Sequence, residues 1–237
     1  MKRLNDGAKA LGIGLSGRQL EQFEGYYREL VEWNQKINLT RITSYEEVQV
    51  KHFLDSLSIV PYLGKSLNAP RIIDIGSGAG LPGIPLKIAR PDIKLTLLEA
   101  TAKKVQFLRY LTDTLELGNV DIVNGRAEEI AHDNKYREKY DLALSRAVAV
   151  MPVSIELTLP FCKKGGMFIA QKKGDIEQEI RQSVRAITEM GGELRGVDTV
   201  EIGGLNDDRK LVIVDKIKPT PERYPRRPGI PVKRPIM

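Results

Sequence analysis

The run Arg71-Ile72-Ile73-Asp74-Ile75-Gly76-Ser77-Gly78-Ala79-Gly80-Leu81-Pro82-Gly83 is the densest chemical signal in the 237-residue chain. An apolar stretch carrying one carboxylate is followed by four glycines within eight residues. Glycine reaches positive φ and lets a ligand approach the backbone, and four so close together exceed what packing a strand-to-helix turn requires. Read literally, Gly78 to Gly83 spells G-x-G-x-x-G, and Glu99 lies near the distance at which an acid holds a dinucleotide ribose. Two points count against a nicotinamide cofactor and an oxidoreductase. The first glycine after the strand is Gly76, which gives the wrong spacing, and a carboxylate at Asp74 repels a pyrophosphate. S-adenosylmethionine has no phosphate but carries an ammonium and a sulfonium. The residues therefore favour that ligand, with Asp74 on its cationic side, Gly76, Ser77, Gly78 and Leu81 in the turn, and Glu99 on the ribose hydroxyls.

Two later segments add arginines. Gly125-Arg126-Ala127-Glu128-Glu129 follows a third apolar run and Leu144-Ser145-Arg146-Ala147 ends a fourth. Ligands of open α/β sheets bind beyond the carboxyl ends of the strands, so Arg126 and Arg146 are expected to face the crevice; the alternative for each is a surface ion pair. The fourth-run motif lacks the Asn/Asp-Pro-Pro-aromatic pattern usual for methylation of exocyclic base amines. Carbon-5 pyrimidine methylation needs a cysteine nucleophile, and Cys162, the only cysteine, reads as helix packing. A ring nitrogen with a free lone pair stays among the acceptors, and its chemistry needs alignment more than a base.

The elements that must hold these groups follow from periodicity. Apolar runs at 71–75, 94–98, 120–123, 140–144 and 167–171 alternate with helical stretches near 83–90, 102–117, 152–161 and 175–190. That alternation predicts an α/β fold with a mostly parallel sheet covered on both faces. Two further strands near 194–202 and 210–217, with Gly203 to Asp208 between them, read as an antiparallel hairpin. The sum is a seven-stranded class I, Rossmann-like methyltransferase layout over 71–217. Residues 1–61 read as a helical extension. Ser16 and Gln19 form a capping box, Leu20, Phe23, Tyr27, Leu30 and Val31 recur at helical spacing, and Ser44 with Glu47 repeats the start signal before Pro61. His52 falls inside that second helix and is expected to be packed or partnered.

Composition bounds the rest. A 41% hydrophobic and 29% charged chain is ordinary for a globular protein. No stretch approaches a membrane span, the charged start lacks a secretory apolar region, and one cysteine excludes a disulfide framework and a Cys-cluster metal site. A cytoplasmic monomer without metal is expected. The net charge is +6, and residues 216–237 alone carry +6, from Lys216, Lys218, Arg223, Arg226, Arg227, Lys233 and Arg234 against Glu222. Six prolines in that tail predict an extended basic arm over 218–237. Such an arm suits either a polyanionic partner such as RNA or simple solubility.

Taken together the motifs resemble the RsmG family, also called glucose-inhibited division protein B. The likeness rests on Asp74 to Leu86, Trp33-Asn34-Gln35-Lys36-Ile37-Asn38-Leu39-Thr40, His52-Phe53-Leu54-Asp55-Ser56-Leu57, Arg126 to Glu129, Ser145-Arg146-Ala147, and Arg223 to Pro231. It covers nearly the whole chain. The resemblance implies methylation of N7 of guanine 527 in 16S rRNA of the small ribosomal subunit, with S-adenosylmethionine as donor. It implies cofactor contacts at Gly76, Leu81, Ala127, Glu128 and Arg146, and substrate handling by Asn38, Arg126 and Arg146. Asn38 also reads as a helix C-cap, since Asn tolerates left-handed geometry. Gln171-Lys172-Lys173-Gly174 is a candidate phosphate contact or a solvated turn.

Overall fold

The computed structural model describes residues 1–64, 69–147, 149–201 and 208–237. Seven strands among them form one sheet: β1 (Arg71–Ile75), β2 (Lys94–Glu99), β3 (Val120–Asn124), β4 (Tyr140–Arg146), β5 (Cys162–Lys173), β6 (Gly192–Val200) and β7 (Arg209–Lys216). Their order is β3-β2-β1-β4-β5-β7-β6. The first five run parallel, and β7 lies antiparallel between β5 and β6. An all-parallel dinucleotide sheet would end in a sixth parallel strand; the inserted β7 and its hairpin partner β6 match the predicted layout. Most of the intervening Gly203–Asp208 segment lies outside the described residues.

The helices are α1 (Lys2–Ala10), α2 (Gly17–Asn34), α3 (Tyr45–Val48), α4 (Asp55–Leu57), α5 (Gly83–Ala89), α6 (Ala102–Thr114), α7 (Ala127–Ile130), α8 (Met151–Thr158), α9 (Glu177–Glu189) and α10 (Ile230–Lys233). A π-helical turn, Gln49–Leu54, joins α3 to α4. Strand alternation sends successive side chains to opposite faces. Ile72, Leu142 and Leu144 enter one core with Phe23, Tyr26, Leu30 and Phe53 from the N-terminal helices. Ile73, Ala143 and Phe168 enter a second core with Met151, Ile187, Tyr224 and Ile236. The N-terminal helices thus bury one face of the sheet, and α8, α9 and the C-terminal segment bury the other.

Several expectations change in detail. The Ser16–Gln19 capping box forms in both directions, but Ser44 starts α3 without a side-chain cap bond. In the α2 stripe Phe23 and Leu30 are buried as expected, but the buried tyrosine is Tyr26, with Tyr27 half-buried. Cys162 opens β5 and is not part of a helix, though it lies in the core shared with α8 and α9; its buried thiol meets the Met167 carbonyl at 3.3 Å. The tail is not extended throughout, because α10 lies in it. The segment lies against the body. Lys216 is fully buried as the last residue of β7, its ammonium 3.0 Å from the Leu159 carbonyl and 3.1 Å from that of Met190.

Candidate functional site

The glycine turn leaves β1 at Ile75 and enters α5 at Gly83. Gly76, Gly78 and Gly80 have φ of 69°, 57° and 89°, in the left-handed region, so the density of glycine has a backbone cause. The Gly76 N–H donates to the Leu98 carbonyl at 2.8 Å, and Ser77 Oγ donates to the Asp74 carbonyl at 2.9 Å. A side chain at Gly78 would meet only the Gly76 carbonyl, at 3.8 Å, so the turn presents open backbone there. Leu81 is nearly buried beyond it.

Asp74 sits beneath the turn with no solvent exposure. Its Oδ2 accepts the Gly83 N–H at 2.9 Å, while the buried Oδ1 has no hydrogen-bond partner. Burial pushes its carboxyl up to about 7, despite the Gly83 bond and the charge of Arg146. A buried acid with one unanswered oxygen behind an open glycine turn fits a cationic ligand group better than a pyrophosphate. Glu99, at the end of β2, accepts the Gly78 N–H at 2.9 Å through Oε2 and the Thr101 N–H at 2.8 Å through Oε1. Each carboxylate oxygen keeps a further lone pair. Glu99 therefore braces the turn while staying able to accept from a diol.

Arg146 ends β4 and is not a surface ion pair: 14% of its side chain is exposed. Its Nη1 lies 3.0 Å from Asp55 Oδ2 and its Nη2 2.7 Å from His52 Nδ1. Nδ1 also lies 3.0 Å from the Lys51 carbonyl, but a guanidinium only donates and stands closer, so His52 Nδ1 accepts from Arg146. The ring is then neutral, with Nε2 turned to Thr40 Oγ1 at 2.7 Å. Burial and the positive charge of Arg146 push the His52 pKa down to about 3. The π-helical turn carries His52, and Asp55 follows it directly; π turns concentrate at functional sites. Gln171 is the register neighbour of Arg146 across β4 and β5. It is buried and donates to the Asp55 carbonyl at 2.7 Å. Lys172 binds Glu179 and the Ala149 carbonyl, both at 2.8 Å. Of the two readings of that segment, phosphate contact or solvated turn, neither describes Gln171 or Lys172 here, since both are engaged inside the protein.

Arg126 caps α7 and its side chain is 53% exposed, with Nη2 3.5 Å from Glu128 Oε1. Ala127 and Glu128 are buried in the first turn of α7, yet Glu128 Oε1 also accepts the Gly229 N–H at 3.1 Å, so the acid ties down the C-terminal segment. Asn38 is exposed, lies beyond the end of α2 and is not a left-handed cap. Asn34 does that work, its Oδ1 accepting the N–H groups of Leu39 and Thr40 at 2.9 Å. Asp74, the turn, Glu99 and Arg146 thus gather around the carboxyl ends of β1, β2 and β4. Arg126 stands at the end of β3, and the structure gives Asn38 no bond to this group.

The sequence motifs give Tyr26 no functional mark, and they give Asp55 and Asn34 none beyond their place in the family signatures and, for Asn34, the α2 stripe. Tyr26 is fully buried and donates to the Ala79 carbonyl inside the turn at 2.5 Å. Its helical spacing alongside Phe23 and Leu30 was the available signal. Among the described residues no group of three or more His, Cys, Asp or Glu could hold a metal ion, and no helix is long and apolar enough to cross a membrane.

Solved structures share this architecture. A precorrin-6y C5,15-methyltransferase from Geobacter metallireducens superposes with a TM-score of 0.54 at 15% identity, covering 77% of this chain and 95% of that one. A variant of MtNAS in complex with S-adenosylmethionine gives 0.55 at 17% identity, covering 91% and 77%. At those identities the likeness shows the Rossmann-like methyltransferase fold alone. Sequence relatives are much nearer. The ribosomal RNA small subunit methyltransferase G of Dehalococcoides mccartyi is 53% identical over 237 residues and all of both chains. That of Alkaliphilus metalliredigens is 46% identical over 235 residues, 98% of this chain and 97% of its own. The family description for rRNA small subunit methyltransferase G, GidB, matches residues 19–212. With full-length identity at this level and the fold to match, the chain belongs to the rRNA small subunit methyltransferase G family.

Proposed function

We propose that the protein methylates N7 of guanine 527 in 16S rRNA, with S-adenosylmethionine as the methyl donor. The observation that carries the donor is the unanswered Oδ1 of Asp74 beneath the open glycine turn. The family, and the resemblance carried by the motifs from Asp74 to Leu86, Arg126 to Glu129 and Ser145 to Ala147, support the acceptor. S-adenosylmethionine, when bound, supplies a methyl group on a positively charged sulfur. Gly76, Ser77, Gly78 and Leu81 would hold it in the turn, Asp74 would face its ammonium side, Glu99 its ribose, and Ala127 and Glu128 its base. Arg146, Arg126 and Asn38 are assigned to substrate handling, Arg146 from its fixed place between His52 and Asp55.

Guanine N7 offers a lone pair and has no proton to remove, so the site needs no general base. The neutral His52 is in keeping with that, since both of its ring nitrogens are engaged. The protein's contribution is alignment and the handling of charge. The target base must leave its stack or be exposed already. Residues 1–61, 71–217 and 218–237 act as one unit, as a cytoplasmic monomer on the small subunit or its precursor.

The test is methyl transfer from labelled S-adenosylmethionine to small-subunit RNA lacking its natural modification, with the label mapped by N7-specific strand cleavage. Label at the one guanine is the expected result. Cofactor binding without label on free RNA, precursor or subunit would overturn the reading in favour of a non-catalytic assembly factor. Arg146→Lys keeps the charge but loses the planar fork whose Nη1 and Nη2 reach Asp55 and His52 separately; it is expected to lower transfer at least tenfold while RNA affinity is unchanged.

A further inference from the structure

The C-terminal segment is stitched to the body along its length. The Thr220 N–H donates to Glu138 Oε1 at 2.7 Å. Arg137 donates to the carbonyls of Thr220 at 2.8 Å and Tyr224 at 2.9 Å, and His132 Nε2 meets the Pro225 carbonyl at 2.8 Å. Arg226 closes on the fully buried Glu156, Nε at 2.9 Å and Nη2 at 2.6 Å. The stitching ends at the rim of the cofactor crevice, where Glu128 takes the Gly229 N–H. Two of the seven basic residues from 216 onward, Lys216 and Arg226, face inward to carbonyls and a carboxylate. The other five, Lys218, Arg223, Arg227, Lys233 and Arg234, are exposed.

At the rim the sequence Arg227-Pro228-Gly229-Ile230 folds as a tight turn. The Ile230 N–H donates to the Arg227 carbonyl at 3.0 Å, and Gly229 has φ 82° and ψ −16°. Proline at the second position and a left-handed glycine at the third are what a type II turn requires. The turn sits on Glu128 Oε1, the same oxygen that Arg126 Nη2 approaches at 3.5 Å. One buried carboxylate oxygen therefore draws together an exposed arginine of the body and a rigid turn that begins with another.

We propose that Arg126, paired with Glu128, and Arg227, which opens the turn whose Gly229 N–H Glu128 holds, form a phosphate clamp that grips the RNA backbone where the target strand enters the crevice. The clamp rests on the reading of the protein as an RNA methyltransferase and names how it holds its substrate. Guanidinium groups suit phosphate through their planar forks. Glu128 is occupied by the Gly229 N–H and Arg126 and is buried, so it does not present a competing charge to solvent. The clamp also joins substrate grip to the α7 turn assigned to the cofactor base.

The experiment is equilibrium binding of the full-length protein to a 16S rRNA fragment across a salt series, read without methyl transfer. For a single strand each lost phosphate contact reduces the log–log salt slope by roughly 0.7. Arg126→Gln and Arg227→Gln are each expected to do so. Their double variant should lose less affinity than the two singles combined, because both act on one strand position. Arg223→Gln, an exposed cation stacked on Tyr224 away from the rim, should leave the slope unchanged. Gly229→Ala keeps every charge and meets no atom within 4 Å, but strains the turn; it should weaken binding several-fold. An unchanged slope in Arg227→Gln, an equal loss in Arg223→Gln, or no effect of Gly229→Ala would overturn the clamp. Because turnover is not read, clamp variants that weaken binding while the label maps to another nucleotide would sink only the choice of guanine.

Discussion

Tyr26 is one fully buried hydroxyl with a large task. It joins α2 to the glycine turn through the Ala79 carbonyl, and a side chain at Gly80 would come within 3.1 Å of it. Tyr26→Phe keeps the ring and removes that bond; it should cost about 1 kcal/mol of stability and weaken S-adenosylmethionine severalfold by calorimetry. Equal affinity in the variant would show that the turn holds itself. Asp74 and His52 impose opposite pH dependences. The folded pKa of Asp74 is about 7 against 3.8, so the folded state binds the extra proton and stability falls as pH rises from about 4 to 7. The folded pKa of His52 is about 3 against 6.5, so its contribution is lost as pH falls from about 6.5 to 3. Each spans roughly 5 kcal/mol at most. Over the shared window they offset, and only differences separate them. Wild type should lose stability relative to Asp74→Asn between pH 4 and 7, and gain on His52→Gln between pH 3 and 6.5, in urea melts at each pH. A parallel pair of curves would contradict the burial of either charge.

Elements were legible where their cause is local. The capping box at Ser16 and Gln19 is written within four residues; Ser16→Ala should cost about 1 kcal/mol, read as a shift in the urea midpoint at constant slope. The strand, glycine turn and α5 were equally readable, since apolar alternation and left-handed glycines are local facts. The π-helical turn was not, because nothing in Gln49–Leu54 distinguishes it from an α-helix until Arg146 arrives from a strand 91 positions after Asp55. Asn38 misled for a related reason: both it and Asn34 can satisfy the end of a helix, and only the closing loop selects Asn34. Gln171 and Lys172 read as a polar turn, yet β5 extends through Lys173 and its register with β4 buries the glutamine. For the π-helical turn and for Gln171 the deciding partner is remote in sequence, whereas for Asn34 it is a loop five and six residues on.

At the scale of the whole molecule, the net charge and the stability of the fold are entangled in the C-terminal segment. Counted as charge, residues 216–237 look dispensable to a neutral body, but Tyr224 and Ile236 are buried in the core on one face of the sheet. Glu156 on α8 is completely buried and has Arg226 as its guanidinium partner. Removing the tail would strip that carboxylate of its charge partner, so truncation cannot report cleanly on RNA binding. Arg226→Ala isolates the effect. Leaving a buried carboxylate without its partner costs about 3 kcal/mol or more, and the 27% exposure of the Arg226 side chain places this pair toward the lower end. The urea midpoint should fall accordingly. Adding Glu156→Gln should recover part of the loss, because a neutral amide needs no counter-charge. A change below about 0.5 kcal/mol in Arg226→Ala, within the range of ordinary surface substitutions, would mean that the tail is not part of the cooperative fold. Its cations would then act as a loose arm, not from positions that the body sets.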